Sequence, residues 1–179
     1  MSGSLFLAVE PDDETRSLLA QMLLPFGTTG RLPGKLVPPE NWHITVRFLG
    51  SLDEITTDRL LAELDQDALG GPFPVRLSGF GAFPRADKAT VLWIGVESEG
   101  LVELAADVEE RVQAVGIEPE ERPYVPHFTL SRLRPPVAAN DLIDEDWGRV
   151  VFRVDHLVLF ESLSGEGGVR YRPVERFPL

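Results

Sequence analysis

His43 and Thr45, and again His127 and Thr129, set an imidazole two residues ahead of a hydroxyl inside runs of β-branched and aromatic residues. Such runs read as strands, in which successive side chains alternate between faces. Each His therefore shares a face with its Thr, while Ile44, Val46, Phe128 and Leu130 point the other way. Two opposed imidazoles suit in-line displacement at a single phosphorus atom, with one as base on the attacking oxygen and the other as acid on the departing one. Histidine titrates near neutrality, and each role is typically worth about 10²–10⁴ in rate. The two Thr hydroxyls would donate to the non-bridging oxygens, where charge builds in the transition state. The scheme needs no metal or cofactor, and spacing alone does not say which His is acid and which is base.

Other residues join the site conditionally. Arg47 shares the parity of His43 and Thr45. Arg132 falls on the face opposite His127, so it reaches a phosphate only if the strand ends or bulges before it. Each is read as a phosphate contact or a solvated rim charge. Tyr124, Trp42 and Phe48 could stack a terminal base, with Phe48 read as core. His156, in Phe152-x-Val154-x-His156-x-Val158-x-Phe160 and without a following Thr, reads as structural.

The elements that must position these groups follow from local signals. Leu5 to Glu10 reads as a strand. Asp12, Asp13 and Glu14 after Pro11 suit a helix start, and Leu18, Leu19, Met22 and Leu23 carry the helix up to Pro25. Gly27 to Pro39 is loop-like before the first His strand. Ser51-Leu52-Asp53-Glu54 matches a capping box, followed by an apolar face of Ile55, Leu60, Leu61 and Leu64 and a stop at Gly70-Gly71-Pro72. Phe73 to Phe83 and Thr90 to Glu97 read as a hairpin turning at Arg85, Ala86 and Asp87. Ser98 caps a helix with Leu101, Leu104, Val108, Val112 and Val115 on one face and Gly116 as its stop. After the second His strand, Pro135-Pro136 opens an irregular acidic segment with room for a short helix. Val150 to Glu161 and Val169 to Phe177, around Gly165, Gly167 and Gly168, read as a closing hairpin.

Leu5-Phe6-Leu7-Ala8-Val9-Glu10 matches Leu92-Trp93-Ile94-Gly95-Val96-Glu97 position by position, and each run leads through a helix and a Pro-rich loop to an H-x-T strand. The chain is therefore expected to be a single bilobal domain over 1–179, with internal repeats 1–88 and 89–179. The expected fold class is α+β: a pseudo-twofold duplicated unit, with antiparallel sheets lining a central cleft and helices on the outside. That symmetry would turn the two His-Thr pairs toward one another.

The 179 residues, 43% hydrophobic and 26% charged, fit an ordinary globular chain. No apolar run approaches a membrane span, and the N-terminal run lacks a signal-peptide pattern, so a cytoplasmic chain with no membrane partner is expected. With no Cys, disulfides, thiolate metal sites and cysteine nucleophiles are excluded. A formal charge of −12 opposes long grips on a polyanion and implies a footprint of a few phosphates.

The opening LFLAVE run, N-W-H-I-T-V-R-F-L-G at 41–50 and R-P-Y-V-P-H-F-T-L-S-R at 122–132 together resemble the two-histidine phosphoesterases, specifically LigT-like RNA 2',3'-cyclic phosphodiesterases once named 2'-5' RNA ligases. The resemblance runs nearly end to end. It implies hydrolysis of RNA 2',3'-cyclic phosphate ends to 2'-phosphates, with His43 as proton donor, His127 as acceptor, and Thr45 and Thr129 holding the phosphate. Arg132 matches an Arg common after the second motif. RNA 3' ends, or small cyclic nucleotides, are the implied partners of a monomeric enzyme. The competing readings are reversible 2'-5' ligation at the same site, a metal-dependent phosphoesterase and a non-catalytic RNA-end-binding module. H-E-x-x-H and H-x-H patterns are absent, and each motif His pairs with a Thr and not with a carboxylate, which opposes the metal reading, and the acidic balance opposes the binding module.

Overall fold

The apolar run Ser4–Val9 forms β1 in the computed structural model, which describes residues 3–165 and 168–179. Gly167, placed by the sequence in the closing turn, lies outside the described residues, as do Met1 and Ser2. Asp12 caps α1 (Asp13–Thr28), its Oδ1 accepting the Thr15 N–H at 2.7 Å. The helix passes Pro25 instead of stopping there. A proline forfeits one backbone donor, and the Thr28 and Thr29 hydroxyls tie the last turn to the carbonyls of Leu24 and Pro25 at 3.0 and 2.6 Å.

The loop-like stretch after α1 contains a two-residue strand, β2 (Lys35–Leu36), and a 3-10 turn at Pro39–Asn41. Then come β3 (Ile44–Gly50) and α2 (Glu54–Gln66). Ser51 is not the cap of α2: Asp53 is, accepting the Thr56 N–H at 2.7 Å. The helix consequently buries Leu60 and Leu64 and leaves Ile55 75% exposed. β4 (Phe73–Phe83) and β5 (Ala89–Glu97) form the expected hairpin. α3 (Glu99–Ala114) is capped by Ser98, buries Leu101, Leu104, Val108 and Val112, and ends at Gly116, whose φ of +90° suits a residue without Cβ.

β6 (His127–Val137) runs through Pro135 and Pro136, where its ladder to β5 has already thinned to Ala89 opposite Val137. A short α4 (Asn140–Ile143) follows. The expected strand 150–161 is divided at Asp155 into β7 (Arg149–Val154), paired with β4, and β8 (His156–Gly165), paired with β1 and with β9 (Gly168–Pro178). These two segments lie at opposite ends of the sheet. β7 buries alternate residues, whereas β8 buries Leu157 through Phe160 without interruption because both of its faces are covered. His156 sits exposed at the break, its Nδ1 2.7 Å from Asp155 Oδ1, and not on an apolar face.

All strands join one nine-stranded sheet with the path β7-β4-β5-β6-β3-β1-β8-β9, β2 flanking β6. The expected sheets are thus one continuous, curled antiparallel sheet. β3 and β6 meet at its centre through the single pair Ile44 opposite Phe128. The sequence-matched strands β1 and β5 flank that seam, which supports our proposal of a duplicated unit. Each half-chain also lends a strand to the other side: β4 pairs with β5, and β8 with β1. The main core lies on the helix side of the sheet. A second, small cluster of Phe6, Ala8, Val158 and Phe160 lies on the open face. Among the described residues no helix is long and apolar enough to cross a membrane.

Candidate active site

The central seam brings the two H-x-T motifs together. His43, Thr45, His127, Thr129, Arg132, Tyr171 and Phe48 line one cavity of about 140 Å³ on the open face. His43 Nδ1 lies 2.8 Å from the Asn41 carbonyl, and His127 Nδ1 lies 2.9 Å from the Val125 carbonyl. In both, the carbonyl two residues upstream fixes Nδ1 as the protonated nitrogen and leaves Nε2 for the chemistry. His43 Nε2 is 3.2 Å from Thr45 Oγ1, so in the neutral ring the hydroxyl donates to it.

The surroundings of the two rings differ. Phe6 and Tyr171 each sit 5.0 Å from the His43 ring, Tyr171 edge-on, and Phe160 completes the wall at 6.5 Å. His127 meets Phe83 edge-on at 5.2 Å. Burial holds the His43 imidazole below the ordinary histidine range. The hydrogen bond to Asn41 opposes this, while the positive charges of Arg132 and His127 add to it.

Two β-bulges decide what else enters the cavity. Between β1 and β3 the register passes from Leu7 opposite Arg47 to Ala8 opposite Thr45, leaving Val46 unmatched. Between β5 and β6 it passes from Leu92 opposite Ser131 to Trp93 opposite Thr129, leaving Leu130 unmatched. Each extra residue reverses the alternation beyond it. Arg132 is thereby brought to the cavity, meeting the condition set by the sequence. Arg47 is thrown out of it. Its Nε lies 2.5 Å from Glu109 Oε2 on α3, and its Nη atoms donate to the carbonyls of Phe48 and Glu118. The position five residues after each His is thus Phe48 on one side and Arg132 on the other.

Phe48, expected in the core, is 56% exposed and lines the cavity. Trp42 is core, packed against Phe128 with its Nε1 donating to the Val37 carbonyl at 3.0 Å. Tyr124 lies off the cavity wall. Its hydroxyl donates to the Thr45 carbonyl at 3.0 Å, and burial pushes the phenol up. Behind Arg132, Gly34 at φ +88° would place a Cβ 2.6 Å from the Arg132 carbonyl. Ser131 Oγ donates to the Pro33 carbonyl in the same layer. Sequence reasoning missed Tyr171 and Asn41. Tyr171 arrives on a hairpin carrying no motif, and Asn41 orients His43 through a main-chain carbonyl common to every residue type.

Among the described residues no group of three or more His, Asp or Glu side chains converges as a metal site would require. A larger hollow of about 360 Å³ between α1 and Pro38-Pro39 is lined by apolar side chains such as Leu23, Leu36 and Trp42 and holds no group able to transfer a proton.

Residues 30–166 match the model of a family described as the 2'-5' RNA ligase superfamily. A protein of Methanocaldococcus jannaschii named RNA 2',3'-cyclic phosphodiesterase is 32% identical, covering 97% of this chain and 99% of its own. One of the same name from Thermus thermophilus is 37% identical over 98% of this chain and 89% of its own. The crystal structure of E. coli LigT complexed with 3'-AMP superposes with a TM-score of 0.78 at 25% identity, covering 100% of this chain and 99% of that one.

Proposed function

The chain belongs to the 2'-5' RNA ligase superfamily, and from that premise we propose that it hydrolyses RNA 2',3'-cyclic phosphate ends to 2'-phosphates. The observation that carries the reading is the matched pair of imidazoles. Each is pinned at Nδ1 by a carbonyl two residues upstream, and each lines one small cavity with a Thr beside it.

The steps follow from those atoms. His127 Nε2 takes a proton from water as its oxygen bonds to phosphorus. The bond from phosphorus to the 3' oxygen breaks, and protonated His43 Nε2 delivers its proton to that oxygen. The product is a 2'-phosphate with a free 3'-hydroxyl, and the two rings exchange protons with solvent to reset. Thr45 turns its hydroxyl from His43 to one non-bridging oxygen, Thr129 serves the other, and Arg132 neutralises the phosphate. The assignment of donor and acceptor rests on the family resemblance; burial of His43 favours its neutral form until an anionic substrate arrives and raises its proton affinity. A 5'-hydroxyl in place of water would give 2'-5' ligation at the same site, which the high concentration of water makes secondary. Both motifs come from one chain, which supports a monomeric enzyme.

The test is incubation with an oligonucleotide ending in 2',3'-cyclic phosphate, in excess EDTA, with identification of the product isomer. A 2'-phosphate is expected. A 3'-phosphate would overturn the regiochemistry, and loss of turnover in EDTA would overturn the acid-base scheme.

A further inference from the structure

Nine arginines of this acidic chain pair with carboxylates, and of the cations that have no such partner among the described residues three come together on β2 and β6 beside the cleft. Arg132 lines the cavity, and Arg134, exposed on the far side of buried Leu133, follows it two residues later on β6. Lys35 on β2 stands directly opposite Arg132 in the antiparallel ladder. Leu36 turns to the apolar hollow on the helix side, which puts Lys35 on the cleft side with Arg132. The Lys35 ammonium reaches the β9 end of the hairpin, 3.4 Å from where a Cβ on Gly168 would sit. The ion pairs of Arg16, Arg31, Arg47, Arg76, Arg111 and Arg172 lie elsewhere.

Like charges directly opposite one another in a sheet are destabilising. Keeping Lys35 against Arg132 beside the cavity, in a chain of net charge −12, is consistent with an anion settling between them. Arg134 lies two residues beyond Arg132, about 6.6 Å along the strand, a separation comparable to one step of a nucleic-acid backbone.

We infer that Lys35 and Arg134, flanking Arg132, form a subsite for the phosphodiester on the 5' side of the terminal nucleotide. The inference rests on the proposed hydrolysis of cyclic ends and adds to it: the enzyme reads one phosphate beyond the reacting one, and selects a strand end over a lone cyclic nucleotide.

The experiment compares kcat/KM for a nucleoside 2',3'-cyclic phosphate and for a dinucleotide ending in the same cyclic phosphate. The wild-type protein is set beside Lys35→Met/Arg134→Met and a control, Arg59→Met/Arg153→Met, which removes two exposed cations outside the cleft. The wild type and the control should favour the dinucleotide by about ten- to a hundredfold, the scale of charge-assisted contacts. Lys35→Met/Arg134→Met should bring that ratio near one. The slope of log kcat/KM against log salt should also be steeper for the dinucleotide by about 0.7 in the wild type, one phosphate's worth, and equal for the two substrates in the variant. Equal rates on both substrates in the wild type, a preference that survives in the variant, or an equal loss in the control would overturn the subsite while leaving hydrolysis standing. Turnover of neither substrate would overturn the proposed function itself.

Discussion

The hydroxyl of Tyr124 donates to the main-chain carbonyl of Thr45 at 3.0 Å, tying the loop that ends in His127 to the strand that carries Thr45. The strands β3 and β6 share one ladder pair, Ile44 with Phe128. This bond therefore helps fix the separation of the two imidazoles. Tyr124→Phe should cost about 1 kcal/mol of stability by denaturant titration. It should also lower kcat while substrate affinity holds; an unchanged kcat would reduce Tyr124 to a packing role.

His43→Ala and His127→Ala should each lower kcat by about 10²–10⁴, and Thr45→Val or Thr129→Val by up to about 10²–10³. Circular dichroism should show an unaltered fold, because all four side chains face a cavity and not the core. A double-histidine variant with full turnover would dispose of the mechanism.

Burial depresses the His43 proton affinity, and Arg132 adds to the effect. With His43 as the acid, kcat/KM should fall as pH rises through that lowered value, so the alkaline limb begins below about 6.5. Arg132→Met removes a neighbouring cation and should move the limb upward, whatever it does to the rate. The same shift makes stability pH-dependent. Because the folded value is depressed, the stabilisation is present above about pH 6.5 and is lost as pH falls through the folded value. His43→Gln should flatten that part of the stability curve in a thermal-melt series.

Arg47 is turned away from the cavity into an ion pair with α3, so its removal is expected to affect stability more than turnover. Its side chain is 11% exposed, and its guanidinium holds Glu109 together with the carbonyls of Phe48 and Glu118. Burial works against the Glu109 carboxylate, but the Glu120 N–H, Gln113 and Arg47 outweigh it and keep the carboxyl below its usual range. Arg47→Met should cost about 1–3 kcal/mol and leave kcat/KM within about threefold well below the melting temperature. Arg132→Met should do the reverse: at least a tenfold loss of kcat/KM with little change in stability.

Much of this protein can be read from its sequence because the signals are local. The period-two pattern around His43 and His127 places each imidazole beside its Thr, Ser98 and Gly116 bound α3, and the match of Leu5–Glu10 to Leu92–Glu97 marks the strands that flank the seam. Arg47, Arg132 and Phe48 were not legible in that way. Their faces depend on unmatched residues at Val46 and Leu130, and a bulge exists only relative to a neighbouring strand distant in sequence. For the same reason only the tertiary structure divides 150–161 between opposite ends of the sheet and brings Tyr171 over His43. Alternation along a strand is dictated by the chain itself, whereas register, and with it the face every later residue presents, is settled by the partner it pairs with.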